Sequence, residues 1–378
     1  MPAVFAQEAA ASGGGAASAI GWTIAGMLIA GFAVAVLINV RRGRAEIGAE
    51  IELAANRKPY LSDDELEGKK LDRTLGAGLL LLALVSVALP MYWLYEPARQ
   101  AGAIADFEER SIEQGLEVYD TKAKCVECHG PKAVGGAKET PLLNAQGQFI
   151  ANVKWQAPAL DTILYRFTKD EVKFILNYGR PYSPMPAWGA PGGGPLTDQQ
   201  LDDTINYLES IQLPADKAKI ELDKEIAKVC APDAEGNCTV ADPGSPNGER
   251  TYATLGEALF NLGLYDGFAG GAYSCGRCHT KGWSYGKPEE SGGGGSMGPN
   301  LTGGSELRQF DTAELQVAFV SKGAELGKKY GNSGLGDGKM PGFGINRNAE
   351  LKDAEMKPDQ VMLTQEQIAA IVEYERGL

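Results

Sequence analysis

Cys125-Val126-Glu127-Cys128-His129 decides how this chain is read, and it recurs as Cys275-Gly276-Arg277-Cys278-His279. C-x-x-C-H is the attachment signature of c-type haem. Two thiols separated by two residues reach the two vinyl groups along one porphyrin edge. The histidine that follows is then placed under the iron as proximal ligand. A single copy is compatible with chance, with zinc or with redox thiols; two copies with similar sequence downstream favour haem. The signature predicts two covalently bound haems c, one on Cys125 and Cys128 with His129, the other on Cys275 and Cys278 with His279.

The chain has only two histidines, and both lie in these motifs. None is left for a distal ligand, a copper site or acid–base work. A sixth iron ligand must be another residue type, and methionine is the usual partner of histidine in electron-transfer cytochromes, where it raises the potential. Met185, in Pro184-Met185-Pro186, and Met340, in Lys339-Met340-Pro341, follow the two motifs in proline-bearing loops that cannot be helix interiors.

Working outward, the flanks of both motifs repeat. Glu108 to Lys124 reads as a helix with Ile112, Leu116 and Tyr119 at helical spacing. Thr168-Lys169-Asp170-Glu171 and Thr197-Asp198-Gln199-Gln200 are capping boxes that open two more helices. In the second half, Gly256–Leu264 reads as the first helix. Asp311-Thr312-Ala313-Glu314 and Thr364-Gln365-Glu366-Gln367 open the later ones. Each half has the order helix, C-x-x-C-H, long loop, helix, Met-Pro loop, final helix, which is a domain duplication rather than a solenoid.

Upstream lie two apolar stretches of membrane-spanning length, Ile20 to Val40 and Leu75 to Tyr95. Residues 1–19 hold no Lys or Arg, unlike an ordinary signal peptide. The loop between the stretches carries eight basic residues, from Arg41 to Arg73, and is cytoplasmic by the positive-inside rule. The expected order is an outer N-terminal tail (1–19), a transmembrane helix (20–40), a cytoplasmic loop (41–74), a transmembrane helix (75–95), a first haem domain (96–213), a linker (214–250) and a second haem domain (251–378). A multi-pass chain in contact with membrane lipid follows, with the haem domains on the extracytoplasmic side. There Cys230 and Cys238, the two cysteines outside the motifs, are expected to pair. Net charge is −13, from 36 basic and 49 acidic residues, which argues against a nucleic-acid partner.

With these motifs in place, the sequence resembles an all-α protein of two transmembrane helices followed by two class I cytochrome c domains. The resemblance implies Met185 and Met340 as distal ligands. It also implies a Gly-Pro-x-Leu-like segment whose proline carbonyl accepts a hydrogen bond from the proximal histidine. Gly298-Pro299-Asn300-Leu301 matches that segment, and Ala157-Pro158-Ala159-Leu160 matches with Ala157 in the glycine position, so Pro158 and Pro299 are expected beside the haems. Met297, Met356 and Met362 are rival sulfurs. Trp188 and Phe343 are expected on the haem edges, Tyr207 and Tyr374 in the cores; Trp155 and Trp283 are not assigned.

The part order resembles the diheme subunit of cbb-type oxidases. Duplicated haem domains also occur in the diheme subunit of quinol–cytochrome c reductases, where the anchor follows the haems. The first loop lacks the Asn-Pro-Leu-Pro-Arg-Trp-like segment that the resemblance to the oxidase subunit implies, which tilts the reading to the reductase. Either way the expected role is electron transfer within a respiratory chain. Its partners would be the other subunits of a membrane complex and electron donor and acceptor proteins, with no catalysis by the chain alone. A diheme peroxidase is the competing enzyme reading; it needs an open iron and proton-handling groups, and no histidine is spare.

Overall fold

The computed structural model describes residues 23–24, 26–38, 41, 64, 66–143, 146, 148–180, 183–232, 238–241, 249–280, 297–344, 347 and 362–378. The chain divides into two units, Met1–Phe107 and Glu108–Leu378.

In the first unit, α1 (Gly26–Ile38) is apolar and exposed throughout. It is shorter than the expected span 20–40, whose ends lie outside the described residues. Helix α2 (Leu71–Glu117) contains the second expected span. Among the described residues one helical run, Glu67–Lys122, is long and apolar enough to cross a membrane. Its leucines at 79–82 and 84 are exposed in the protein, as a lipid-facing surface requires. Pro90 and Pro97 lie inside α2 without ending it; apolar helices in lipid tolerate proline where soluble ones break. Most of the loop 41–74 lies outside the described residues, as does the tail 1–19.

The second unit begins with the last part of α2, which winds more loosely over Val118–Lys122 before the first motif turn, α3 (Val126–His129). Then come β1 (Gly136–Leu143) and β2 (Phe149–Ala157), α4 (Ile163–Arg166), α5 (Lys169–Tyr178) and α6 (Asp198–Ser210). Thr168 and Thr197 cap α5 and α6 in full capping boxes, with Glu171 and Gln200 reaching back to the cap amide. The antiparallel β1–β2 hairpin, running from Gly136↔Ala157 to Leu143↔Phe149, is a departure from the all-α expectation for the first haem domain.

Helix α7 (Ala215–Val229) follows within the expected linker. It is charged on one side, yet Leu222 and Val229 sit in the second half's core. Strands β3 (Ala231–Pro232), β4 (Cys238–Ala241) and β5 (Glu249–Tyr252) form a small antiparallel sheet. A Cys230–Cys238 disulfide closes its first turn.

The second half continues with α8 (Leu255–Phe260), the motif turn α9 (Gly276–His279), α10 (Ser305–Gln309), α11 (Ala313–Lys322), the short hairpin β6 (Lys329–Tyr330) and β7 (Gly334–Leu335), and α12 (Gln365–Arg376). Thr364 and Gln367 make a third capping box. At α11 the cap is Thr312, and Leu315 stands where a capping box needs Glu or Gln, so only half of the expected box forms.

The halves share one crossing of first and last helices. A Cβ on Gly115 would lie 2.0 Å from the Asp203 carbonyl oxygen and 2.8 Å from the Tyr207 Cβ. A Cβ on Gly256 would lie 2.0 Å from the Ala370 oxygen and 3.0 Å from the Tyr374 Cβ. In both halves a glycine lets one backbone rest on the other, with a tyrosine one turn further along.

Each half has its own core. One gathers Tyr119, Leu164, Phe167, Leu201 and Leu208; the other Leu222, Leu259, Phe260, Ile368 and Ile371. The halves are joined by buried contacts. Glu171 pairs with Arg347, both nearly excluded from water. Main-chain bonds run from Ala159 N to Ala269 O (2.9 Å) and from Gly342 N to Arg166 O (2.9 Å). Trp155 on β2 packs with Leu264 and Met297 of the second half.

Candidate haem sites

Both C-x-x-C-H segments fold as a single helical turn. The His129 amide donates to the Cys125 carbonyl (2.8 Å) and the His279 amide to the Cys275 carbonyl (3.0 Å). None of the four motif cysteines is disulfide-bonded. Burial pushes the Cys125 thiol up to about 11 and the Cys275 thiol well above its ordinary value. Both are therefore protonated at neutral pH, the form that adds across a vinyl group. A zinc site needs thiolates and a closed ligand set. Among the described residues no group of three or more His, Cys, Asp or Glu converges to hold a metal.

The imidazoles are oriented from behind. His129 Nδ1 lies 2.8 Å from Pro158 O and His279 Nδ1 lies 2.8 Å from Pro299 O. A carbonyl only accepts, so Nδ1 carries the proton and Nε2 keeps its lone pair for iron. Burial pushes His129 down to about 4, and it lowers His279 as well. Both rings stay neutral, as a metal ligand must be. In the second half Gly298 makes the approach possible, because a Cβ there would lie 2.6 Å from His279 Cε1. In the first half Ala157 ends β2 and the bond forms without the glycine.

The two Met-Pro loops are held alike. Helices α5 and α11 each end on a glycine in the left-handed region, Gly179 (φ +68°) and Gly323 (φ +78°). The next residue returns to the loop: Arg180 N donates to Met185 O (3.0 Å) and Ala324 N to Met340 O (3.1 Å). Three residues beyond each methionine the loop bonds back to its helix, Trp188 N to Leu176 O (2.8 Å) and Phe343 N to Val320 O (3.1 Å). Met185, Cys125, Leu160 and Trp188 lie on the first core, and Met340, Leu301, Cys275 and Phe343 on the second.

The rival sulfurs go elsewhere. Met297 packs beside Trp155 and Leu264, and Met362 is fully buried with Tyr165 and Ala215. Met356, Tyr182 and Trp283 lie outside the described residues. Tyr207 is buried in the first core, and Tyr374 packs on the second.

Residues 110–208 match the family model described as cytochrome c oxidase, cbb3-type, subunit III. They form a c-type cytochrome domain. This cytochrome domain takes in Cys125, Cys128, His129, Pro158 and Met185, and covalently bound haem c and electron transfer come with it. No curated protein and no solved structure matches the chain. Neutral thiols, a histidine fixed through Nδ1 and a methionine on the same core all fit haem c, and the second half offers the same set.

Sequence reasoning missed Gly179, Gly323 and Gly115. The signal was present: each half has glycine just past the helix that precedes the Met-Pro loop, and one in its first helix. It also missed Arg166, Arg180 and Arg277, which meet between the halves.

Proposed function

We propose that the chain is a membrane-bound diheme cytochrome c that carries electrons within a respiratory chain, with no bond chemistry of its own. What supports this reading is the duplication of one constellation: a C-x-x-C-H turn, a proline carbonyl on Nδ1 and a Met-Pro loop held by the same two backbone bonds. Bound haem c supplies one-electron exchange at iron. Cys125 and Cys128 hold the first haem, Cys275 and Cys278 the second. His129 and Met185 ligate one iron; His279 and Met340 ligate the other. The proline carbonyls fix the tautomer and turn of each ring.

The chain is multi-pass in this reading, with residues 41–74 cytoplasmic and both haem domains extracytoplasmic. Its partners are the other subunits of a membrane complex. The missing Asn-Pro-Leu-Pro-Arg-Trp-like segment supports the cytochrome c subunit of a quinol–cytochrome c reductase. Two observations favour the second reading, a cbb-type oxidase subunit: the anchor precedes the haem domains, and the first of those domains matches that family. Purification in mild detergent decides between them. Co-purification of a quinol-oxidising partner supports the first, of a haem–copper subunit the second. A chain that travels alone and whose reduced haems turn over peroxide would overturn electron carriage in favour of a peroxidase.

A further inference from the structure

The proximal histidine of the first motif is oriented by Pro158 O, and the stretch that carries this carbonyl, residues 156–159, is also bonded to the second half. Ala159 N donates to Ala269 O (2.9 Å). Arg277 Nη2 donates to Gln156 O (3.2 Å). Arg166 bridges the two sides, with Nη2 to Ala159 O (3.0 Å) and Nη1 to Ala272 O (3.1 Å). At Gly270 the two backbones touch: a Cβ there would lie 2.0 Å from Ala157 O and 3.0 Å from Pro158 Cα. Gly135, whose amide donates to His129 O (2.8 Å), belongs to the same contact; a Cβ on it would lie 3.1 Å from Ala159 N and 3.2 Å from Gly270 N.

The second half shapes a special turn for this contact. Over Phe268–Gly271 the chain makes a single tight turn in which Ala269 (φ +47°), Gly270 (φ +61°) and Gly271 (φ +75°) all lie in the left-handed region. A left-handed alanine is strained, and such strain persists only where the surroundings hold it. Here the holding is done by the second core: Phe268 stacks on Tyr273 with ring centroids 5.9 Å apart, and Phe268, Ala272, Tyr273 and Cys275 all lie on that core. The two proximal segments are thus supported differently. In the second half Gly298 lets the proline segment lie against its own histidine ring. In the first half Ala157 stands at that position, and a turn of the other half backs the segment instead.

We propose that this turn is part of the first haem's proximal support: the second half, with Gly270 as the positioning residue, holds Pro158 O on His129 Nδ1 and so lowers the potential of the first haem. The inference rests on the reading of His129 as an iron ligand given above. A carbonyl on Nδ1–H makes the imidazole a stronger donor at Nε2. A stronger donor favours the oxidised iron, so the bond lowers the potential and its loosening raises it. The first haem's redox behaviour then depends on residues that lie outside its own half of the chain.

The test uses the full chain matured with haem in a competent host. Peptide mass shows whether haem sits on Cys125 and Cys128; wild type without it there would sink the haem reading and this proposal with it. The chain has only two histidines, so labelling histidine nitrogen gives one Nδ1–H resonance per motif in the reduced protein. Gly298→Ala, whose Cβ would lie 2.6 Å from His279 Cε1, marks the resonance of the second half. Following each resonance through a redox titration gives each haem its own potential. In Gly270→Ala the new Cβ drives the turn and the Pro158 segment apart. The His129 resonance should move upfield and exchange faster with water, and the first potential should rise, while the His279 resonance and the second potential stay. Phe268→Ala loosens the turn without a collision and should act in the same direction to a smaller extent, so the test stands even where Gly270→Ala does not mature. Gly331→Ala is the control: its φ is +53° and its Cβ would lie 2.5 Å from Gln309 O, with its nearest contacts all on Gln309. It should lower the melting temperature and leave the first potential unchanged. An unchanged His129 resonance and potential in Phe268→Ala and in matured Gly270→Ala would overturn the proposal. So would an equal shift in Gly331→Ala.

Discussion

Gly115→Ala and Gly256→Ala should each destabilise one half of the unit Glu108–Leu378, against the sign that helix propensity gives. In an open helix, alanine for glycine stabilises by about 1 kcal/mol. At these two positions the new Cβ would lie 2.0 Å from a backbone carbonyl oxygen of the last helix, where side-chain contacts do not come below 3.0 Å. The carbonyl is locked in its own helix and cannot swing aside, so the helices must part by about 1 Å. A gap of that size forfeits about a quarter to a half of each dispersion contact along the crossing. Overpacking of this kind costs about 1–3 kcal/mol, and a backbone collision belongs at the upper end. About 3 kcal/mol corresponds to a fall in Tm of roughly 6–12 °C for a body of this size. Thermal melts of the haem-loaded chain, followed at the haem absorbance, read it directly. Gly102→Ala, where a Cβ meets nothing within 4 Å, is the control and should be neutral or slightly stabilising. Equal melting of wild type and both core variants would refute the shared crossing. Loss in one half only would refute its duplication.

Met185→Ala and Met340→Ala should each abolish the near-infrared sulfur-to-iron band of one haem and lower its potential, with the covalent haem retained, while Met297→Ala leaves both bands. Burial pushes Glu375 up to about 8, above its ordinary 4.5. A carboxyl raised in the folded state stabilises least when it must ionise, so stability is full below about 4.5 and falls as pH rises through about 8. Melts across that range should show the slope in wild type and lose it in Glu375→Gln. Arg347→Met strands the buried Glu171 carboxylate and should cost about 3–5 kcal/mol by denaturant unfolding; a loss below about 1 kcal/mol would mean that water reaches the pair.

The parts legible in the sequence were those whose chemistry is local. C-x-x-C-H, the Thr-x-x-Glu/Gln caps and the proline segments behind each histidine bond to neighbours a few residues away, or to a motif with fixed partners. Thr312 shows the limit: its box lacks an acid at the third helical position, and the helix starts one residue later than Asp311 suggested. The β1–β2 hairpin was not legible, because Gly136-Ala137-Lys138-Glu139-Thr140-Pro141 has neither strand propensity nor alternation. It is held by tertiary contact, with Val153 and Trp155 packed on Leu264. The polar look of Lys217 to Lys228 hid Leu222, which with Val229 ties α7 to the second core. Arg166, Arg180 and Arg277 were not legible as neighbours, since nothing in the order of residues says that 166 and 277 come together.

The central claim is two haems c on one chain, and intact mass measurement of the full chain after maturation in a competent host tests it most directly. The account predicts the mass of the polypeptide plus two haems, with one haem on the peptide containing Cys125 and Cys128 and one on the peptide containing Cys275 and Cys278. A chain carrying a single haem, or free thiols at Cys275 and Cys278, would contradict it.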